Sequence, residues 1–262
     1  MTTEPVSPFP PEFAISTLRL RIHPFDPDNP SHCGFLVQLW STDDFINSCG
    51  RTGIDTPEKA AAFIRRRVLA DYARNRHGQF LISLVEATQA PKLIGCVSLM
   101  KGAPPGPYYL APDIGYTILP EESGKGYATE AAKGLLEYAR IELDIHTAFG
   151  FCDATDLRSR RVLEKVGMDY RGVATLSVFG GKESAVYALP GMNKDLSHKK
   201  LHDEKPPDDH DHPQGGQPPP APMPAENGPP PSPHFIERRA HFKPSLESAA
   251  HPPPPSSTED RP

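Results

Sequence analysis

Residues 113–131 read D-I-G-Y-T-I-L-P-E-E-S-G-K-G-Y-A-T-E-A, and residues 156–168 read D-L-R-S-R-R-V-L-E-K-V-G-M. The first stretch predicts a strand that runs into a glycine-rich turn and then into a helix, and the second predicts another helix. Gly124 and Gly126 allow backbone N–H groups to gather around an anion at the N-terminus of the first helix. This arrangement is typical of a site that holds a pyrophosphate beside the end of a strand.

Apolar residues recur at strand and helix spacing on both sides of this stretch. Thr56 followed by Pro57 predicts a capped helix start, and Gly167 is expected to end a helix. Gly95 interrupts an apolar run and predicts a β-bulge. The pattern predicts strands at 15–22, 79–86, 92–100, 113–119, 146–152, 169–177 and 183–189, with helices at 35–40, 56–74, 125–143 and 157–166.

The composition changes sharply along the 262 residues, because 18 of the 33 prolines follow Asp195 and aliphatic residues nearly vanish there. Such a segment buries too little apolar surface to offset the entropy lost on ordering. We therefore predict one domain over residues 12–193 and a disordered tail, rich in proline and histidine, over residues 194–262.

Charge and cysteine usage exclude several classes of function. The net charge of −5 gives no basic footprint for nucleic acid, and the basic run at 65–67 is interpreted as the solvated face of a helix. No stretch approaches the roughly 20 apolar residues of a membrane span. The four cysteines lack metal-type spacing, which predicts no metal site and reduced thiols. We expect a cytoplasmic protein, with the nucleus as the other option.

Three blocks together resemble the GNAT N-acetyltransferase superfamily, within it the RimJ/RimL-like branch. They are S-T-L-R-L-R-I at 16–22, L-I-G-C-V-S-L at 93–99, and the stretch at 113–168 quoted above. The resemblance implies an α/β fold of mixed α+β type. Its central, mostly antiparallel sheet is splayed between the fourth and fifth predicted strands and flanked by helices, and acetyl-CoA lies in the opening. A kinase-type P-loop is excluded, because position 119 is not glycine and Lys125 is not followed by Ser or Thr.

The resemblance also implies which residues bind acetyl-CoA, with two departures from the family pattern. Glu121 stands where the phosphate loop usually begins with Gln or Arg, and Asp156 stands where the branch usually has Asn. We expect backbone N–H groups to carry the binding in spite of Glu121. The predicted cofactor-binding residues are Thr117, Ile118, Leu119, Ser123, Gly124, Lys125, Gly126, Tyr127, Ala128, Thr129, Asp156 and Ser159.

Amide synthesis from a thioester needs a base for the amine, a donor for the carbonyl oxygen and an acid for the leaving thiolate. Asp113 is the first candidate for the base, and a backbone N–H near residues 117–119 is the candidate donor. Ser159 and Tyr127 compete as the acid. Asp153 and Glu130 as bases, and Tyr116 as acid, are weaker candidates.

The sequence predicts acetyl transfer to an amine by direct attack on the thioester. An α-amine with a pKa near ~8 is more often neutral at pH 7 than a lysine with a pKa near ~10.4. This favours a protein N-terminus or a small-molecule amine as the acceptor, in a monomer or a dimer. The alternative is a non-catalytic module with the same fold that acts through protein interactions of the Pro-rich tail.

Overall fold

The computed structural model describes residues 6–85, 91–101, 111–176 and 182–192. The predicted tail at 194–262 and most of the loop between the third and fourth predicted strands lie outside these residues. The sheet, the helices and the glycine-rich turn all lie within them.

An eight-stranded sheet forms the centre of the fold, with the strands in the order β1-β2-β3-β4-β5-β6-β8-β7. Neighbouring strands are antiparallel except for β5 and β6, which are parallel. The predicted first strand is in fact two strands joined by a tight turn. The strands are β1 Ile15–Ser16, β2 Leu20–Pro24, β3 Gln79–Leu84, β4 Leu93–Met100, β5 Asp113–Ile118, β6 Phe149–Asp153, β7 Asp169–Leu176 and β8 Lys182–Ala188.

Helices flank the sheet, and local chemistry sets several of their ends. Thr56 caps α3 by accepting a hydrogen bond from the Lys59 N–H, and Gly167 ends α6 in the left-handed conformation, so both predicted caps are confirmed. The helix predicted at 35–40 extends over Pro30–Trp40 in the structure, and a second helix that was not predicted follows it at Asp43–Cys49. The helices are α1 Pro30–Trp40, α2 Asp43–Cys49, α3 Pro57–Phe63, α4 Leu69–Asn75, α5 Tyr127–Glu142 and α6 Leu157–Val166, with a π-helical turn at Ile64–Val68 and a 3-10 turn at Pro120–Glu122.

The parallel pair β5 and β6 is hydrogen-bonded over only a short length. Asp113 pairs with Phe149 and Ile114 with Gly150, and beyond these positions the two strands separate. Each strand continues to pair on its other side, β5 with β4 and β6 with β8. The sheet is therefore whole at one end of this pair and open at the other, as the family resemblance implies.

Helix α5 crosses the sheet and contacts β1, β2, β4 and β5, and it also contacts α6. Small residues on its inner side allow the close approach, because a Cβ at Gly134 would lie 2.7 Å from Cγ2 of Thr17. Ala131, Ala132 and Leu135 are fully buried on this helix. Its N-terminus consequently has a fixed position at the open end of the β5–β6 pair.

Gly95 of β4 lies at the irregularity that its position predicts. Ile82 pairs with Gly95 but Ser83 pairs with Leu93, so β4 has one extra residue at this point. On its other side Gly95 pairs with Ile118, the last residue of β5. A Cβ at Gly95 would lie 2.3 Å from the Thr117 carbonyl oxygen, so only glycine allows β5 to approach β4 this closely before the opening.

We predict that Gly95→Ala destabilises the protein, because the added methyl group meets backbone and not a flexible side chain. The expected loss is about 1–3 kcal/mol of unfolding free energy, measured by denaturant titration. Gly34→Ala is the matched control, since a Cβ there meets nothing within 4 Å in α1. It should be neutral or stabilise by up to ~1 kcal/mol. A Gly95→Ala protein as stable as wild type would contradict the close approach.

Candidate functional site

The opening between β5 and β6 is part of a cavity with a volume of about 710 Å³. Its walls come from β4, β5, β6, α2, the π-helical turn and the first turns of α5 and α6. The structure brings nearly all of the predicted site residues together here. Those that line the cavity are Asp113, Thr117, Ile118, Ser123, Gly124, Gly126, Tyr127, Ala128, Thr129, Asp156 and Ser159.

The glycine-rich turn at 123–126 presents backbone N–H groups at the N-terminus of α5. Gly124 and Gly126 have φ angles of 81° and 86°, which favour glycine. Gly126 is the N-cap residue and no side chain accepts a hydrogen bond from the first turn. Because the first amides of a helix lack an intrahelical acceptor, this end is suited to bind an anion.

Lys125 belongs to the predicted binding turn through its backbone amide, and its side chain does not line the cavity. Its Nζ donates to Oε2 of Glu122 at 2.8 Å, and Nζ of Lys92 donates to Oε1 of the same carboxylate at 2.6 Å. These lysines, Lys125 first, hold the pKa of Glu122 below its usual value. Glu121, the departure from the family pattern, is exposed and does not line the cavity. The turn thus offers amides to an anion, while Lys125 neutralises Glu122.

The backbone N–H groups at residues 117–119 are predicted to include the donor for the thioester carbonyl, and they do not all face the opening. The N–H of Leu119 donates to the Ile94 carbonyl at 2.9 Å, and this buried residue does not line the cavity. Because bonded pairs alternate in an antiparallel ladder, Thr117 also directs its N–H toward β4. The amides of Tyr116 and Ile118 are directed to the opposite side, where pairing with β6 has ended. Of the three predicted residues, only Ile118 directs its amide into the opening.

Asp156 is the N-cap of α6. Its Oδ1 accepts the N–H groups of Arg158 and Ser159 at 3.0 and 3.1 Å. Its Oδ2 accepts the Ser159 hydroxyl at 2.6 Å. The proton of Ser159 is therefore directed to Asp156 and not into the cavity, which weakens the case for Ser159 as the acid.

Tyr116 connects β5 to α6 across the opening. Its phenol donates to the Ser159 carbonyl at 2.9 Å, and burial raises the pKa of the phenol well above its ordinary value. A strongly bonded phenol with a raised pKa is a poor proton donor to a thiolate. Tyr127 begins α5 and lines the cavity, and the Arg19 guanidinium lies over its ring at 4.6 Å.

The candidate bases differ clearly in their surroundings. Asp113, the first residue of β5, is only 3% exposed and lines the cavity. Asp153 lies at the exposed end of β6, where its Oδ1 accepts both the N–H and the hydroxyl of Thr155. Glu130 is hydrogen-bonded to Thr17 and Arg19 and does not line the cavity. Asp153 also lines the cavity, but Asp113 is the buried one of the two, and we therefore take it as the first candidate.

The π-helical turn and α4 together contribute a charged pair to the cavity lining, which the sequence does not reveal. Arg67, predicted with its neighbours as a solvated face, lines the cavity, and its Nε lies 3.3 Å from Oδ2 of the buried Asp71. Arg74 also pairs with Asp71. A π turn shifts the side chains that follow it around the helix, and no residue type in the stretch signals this shift.

An ion pair joins α2 to α6 at the rim of the cavity. Nη1 of Arg158 lies 3.1 Å from Oδ2 of Asp44, and both residues line the cavity. The two positions are far apart in sequence, so only the fold reveals the pair. Its side chains are 75% and 45% exposed, and an exposed pair of this kind contributes little stability.

Within 6–85, 91–101, 111–176 and 182–192, no cluster of three or more His, Cys, Asp or Glu side chains has the proximity needed to hold a metal ion. Over the same residues, no helix combines the length and apolar character of a membrane span.

Known proteins similar to this chain share the fold. The "Uncharacterized N-acetyltransferase YnaD" of Bacillus subtilis (strain 168) is 35% identical over 71 residues, which are 27% of this chain and 42% of the relative. The match thus spans less than half of that protein. An acetyltransferase of the GNAT family from Bacillus anthracis has a TM-score of 0.52 at 24% identity, over 68% of this chain and 98% of its own.

A second solved structure is RimL, a ribosomal-protein α-N-acetyltransferase, in complex with coenzyme A. It has a TM-score of 0.54 at 16% identity, over 67% of this chain and 97% of its own. At these sequence identities, the similarity to the two solved structures shows a shared fold. The model of the acetyltransferase (GNAT) domain family matches residues 19–169, the part of the chain that contains the open β5–β6 pair and the glycine-rich turn at 123–126. The chain belongs to the acetyltransferase (GNAT) domain family.

Proposed function

We propose that this protein transfers an acetyl group from acetyl-CoA to an amine by direct attack of the amine on the thioester. The observation that carries the proposal is the meeting of two features at one place: the opening between β5 and β6, and the uncapped N-terminus of α5. The first offers a cleft with backbone amides, and the second offers a site for a diphosphate. Family membership and the N-acetyltransferase name of the Bacillus subtilis relative support it.

The diphosphate of acetyl-CoA would be held by the turn at 123–126 and by the first amides of α5, at residues 127–129. This assignment fits the left-handed glycines and the missing side-chain cap. The pantetheine arm would lie along β5 near Ile118, on the side where the N–H groups have no strand partner in β6. The thioester carbonyl would accept a hydrogen bond from such an amide, which stabilises the charge that develops on its oxygen.

Asp113 would accept the proton of the attacking amine, directly or through water. A nearly buried carboxylate at the edge of the cleft is suited to this, because its charge is little screened there. Tyr127 is the better candidate for the acid, since the Ser159 proton is directed to Asp156. We propose both roles from the positions of the Asp113 and Tyr127 side chains in the lining of the cleft.

Direct attack is favoured over a covalent cysteine intermediate. Cys49, Cys96 and Cys152 line the cleft, and burial raises the pKa of the Cys96 and Cys152 thiols, that of Cys152 to about 12. A thiol with so high a pKa is almost fully protonated near neutral pH, and the thiolate is the nucleophilic form. The thiols of Cys96 and Cys152 are therefore poor nucleophiles, which favours passage of the acetyl group from sulfur to nitrogen in one transfer.

A protein N-terminal α-amine or a small-molecule amine is the proposed acceptor. One carboxylate base is sufficient for an amine with a pKa near ~8, which is partly neutral at physiological pH. RimL, which resembles this chain in fold, is named for acetylation of a ribosomal-protein α-amine. Cytoplasmic location is proposed from the use of acetyl-CoA and from the free cysteines among the described residues.

The double variant Gly124→Asp/Gly126→Asp should abolish acetyl-CoA binding to the full chain, as measured by calorimetric titration. Wild type should bind with a micromolar Kd, about −8 kcal/mol. Two carboxylates at the turn would repel the diphosphate. Gly124→Asn/Gly126→Asn is the matched control, with the same size and φ demand but no charge, and it should retain measurable binding. No binding by wild type would contradict the cofactor site and favour the non-catalytic alternative.

Asp113→Asn should lower kcat by about 10²-fold or more, because an amide cannot accept the proton. The Kd for acetyl-CoA should change little. The measurement is thiol release from acetyl-CoA with an amine found by screening N-terminal peptides and small amines. Asp153→Asn is the comparison, and its kcat should stay within about threefold of wild type, since ~0.7 kcal/mol corresponds to that factor. The reverse order of the two effects would show that the base is misassigned.

A further inference from the structure

The turn between β1 and β2 is joined to the start of α5 by one carboxylate. Oε1 of Glu130 accepts the Thr17 hydroxyl at 2.7 Å and the Arg19 backbone N–H at 2.8 Å. Oε2 accepts Nε of Arg19 at 2.7 Å and lies 2.7 Å from its Nη2. Glu130 therefore fixes both the backbone of the turn and the plane of the Arg19 guanidinium.

The fixed guanidinium contacts the anion-binding turn itself. Nη1 of Arg19 donates to the Lys125 carbonyl at 3.0 Å, and the guanidinium lies over the Tyr127 ring at 4.6 Å from its centroid. Between these two residues, a Cβ at Gly126 would lie 3.4 Å from Nη2 of Arg19. The Arg19 side chain thus contacts Lys125 and Tyr127 and lies close to Gly126 between them, where the turn becomes a helix.

The charges around this contact keep it in place. Burial by itself would raise the pKa of Glu130, but the hydrogen bonds from Thr17 and Arg19 outweigh it and the pKa is lowered. Glu130 is therefore ionised at neutral pH, and its side chain is only 17% exposed. A charged, hydrogen-bonded and partly buried pair has a more defined geometry than an exposed one.

Arg19 and Lys125 differ in where their positive charges lie. The Arg19 guanidinium is bonded to the backbone of the turn, whereas the Lys125 ammonium is bonded to the carboxylate of Glu122, a residue that lines the cavity although Lys125 does not. The Arg19 guanidinium lies beside the residues whose amides are exposed to an anion, although it is outside the cavity lining itself. It can therefore set the shape of the turn without contacting the ligand.

We propose that Arg19 is a positioning residue for acetyl-CoA, and that with Glu130 and Thr17 it holds the turn at 123–126 in the form that binds the diphosphate. This inference rests on the proposed function, because it concerns the same site. The planar guanidinium makes its bonds to Glu130, to the Lys125 carbonyl and to the Tyr127 ring at once. Lysine has the same charge but cannot reproduce this set of contacts.

The test uses the full chain and the variants Arg19→Lys and Glu130→Gln. We expect each to raise the Kd for acetyl-CoA by about tenfold in calorimetry, because the turn loses its fixed form. Arg21→Gln is the matched control, since Arg21 lies two residues after Arg19, in β2, and its Nη2 donates to the Glu12 carbonyl, away from the turn at 123–126. Its Kd should equal that of wild type.

A second donor separates positioning from general loss of structure. S-acetylpantetheine carries the thioester but lacks the diphosphate, so kcat/KM for this donor should be the same in wild type, Arg19→Lys and Glu130→Gln. For acetyl-CoA, kcat/KM should fall by the same factor as the Kd rises. An equal fall for both donors would overturn the proposal, because the variants would then damage the whole cleft.

The outcomes also distinguish this proposal from the proposed function. If wild type binds acetyl-CoA and Arg19→Lys binds it equally well, the positioning role is wrong and the proposed function stands. If wild type does not bind acetyl-CoA, both are wrong. Lower ionic strength should tighten acetyl-CoA binding by wild type and by Arg19→Lys to the same extent. If the tenfold difference in Kd between them is retained, the shape of the turn and not its charge causes the difference.

Discussion

The rest of the site depends on the separation of β5 and β6 after two paired residues. Past Ile114 and Gly150 the strands no longer satisfy each other's backbone groups, although both remain held by their outer neighbours. Buried N–H and C=O groups need partners. The opening therefore leaves amides of β5 without a partner in β6. A side chain crosses the opening: the Tyr116 phenol donates a hydrogen bond to the Ser159 carbonyl of α6. A ligand with carbonyl and amide groups, such as the arm of acetyl-CoA, complements such an edge.

Three carboxylates close to the glycine-rich turn each have a hydrogen-bonding or charged partner. Glu122 is neutralised by Lys92 and Lys125, while Glu130 is neutralised by Arg19. Asp156 is occupied by the first turn of α6. Glu121 is exposed outside the lining of the cavity. The departures of Glu121 and Asp156 from the family pattern are thus compatible with an anion at the turn.

Several features of the fold and of the candidate site are predictable from sequence, because they depend on residues close together in the chain. The left-handed glycines of the turn, the caps at Thr56 and Gly167, and the irregularity at Gly95 each follow from residue types within a few positions. Other features depend on register or on distant partners. Leu119 lost its predicted role because its amide bonds to β4, which only the pairing reveals. Arg19 and Glu130 are brought together by the packing of α5 on β1 and β2, and the π turn at 64–68 has no sequence signal.

The central claim is that the amides of the β5 edge and of the α5 N-terminus are the ones that acetyl-CoA engages. Amide hydrogen exchange on the full chain, resolved by residue with and without acetyl-CoA, tests it directly. The account predicts slower exchange at residues 124–129 and at Ile118 on adding acetyl-CoA. The Leu119 amide, which is already bonded to Ile94, should change little. Unchanged exchange at both sets of amides, or protection confined to another surface, would contradict the account.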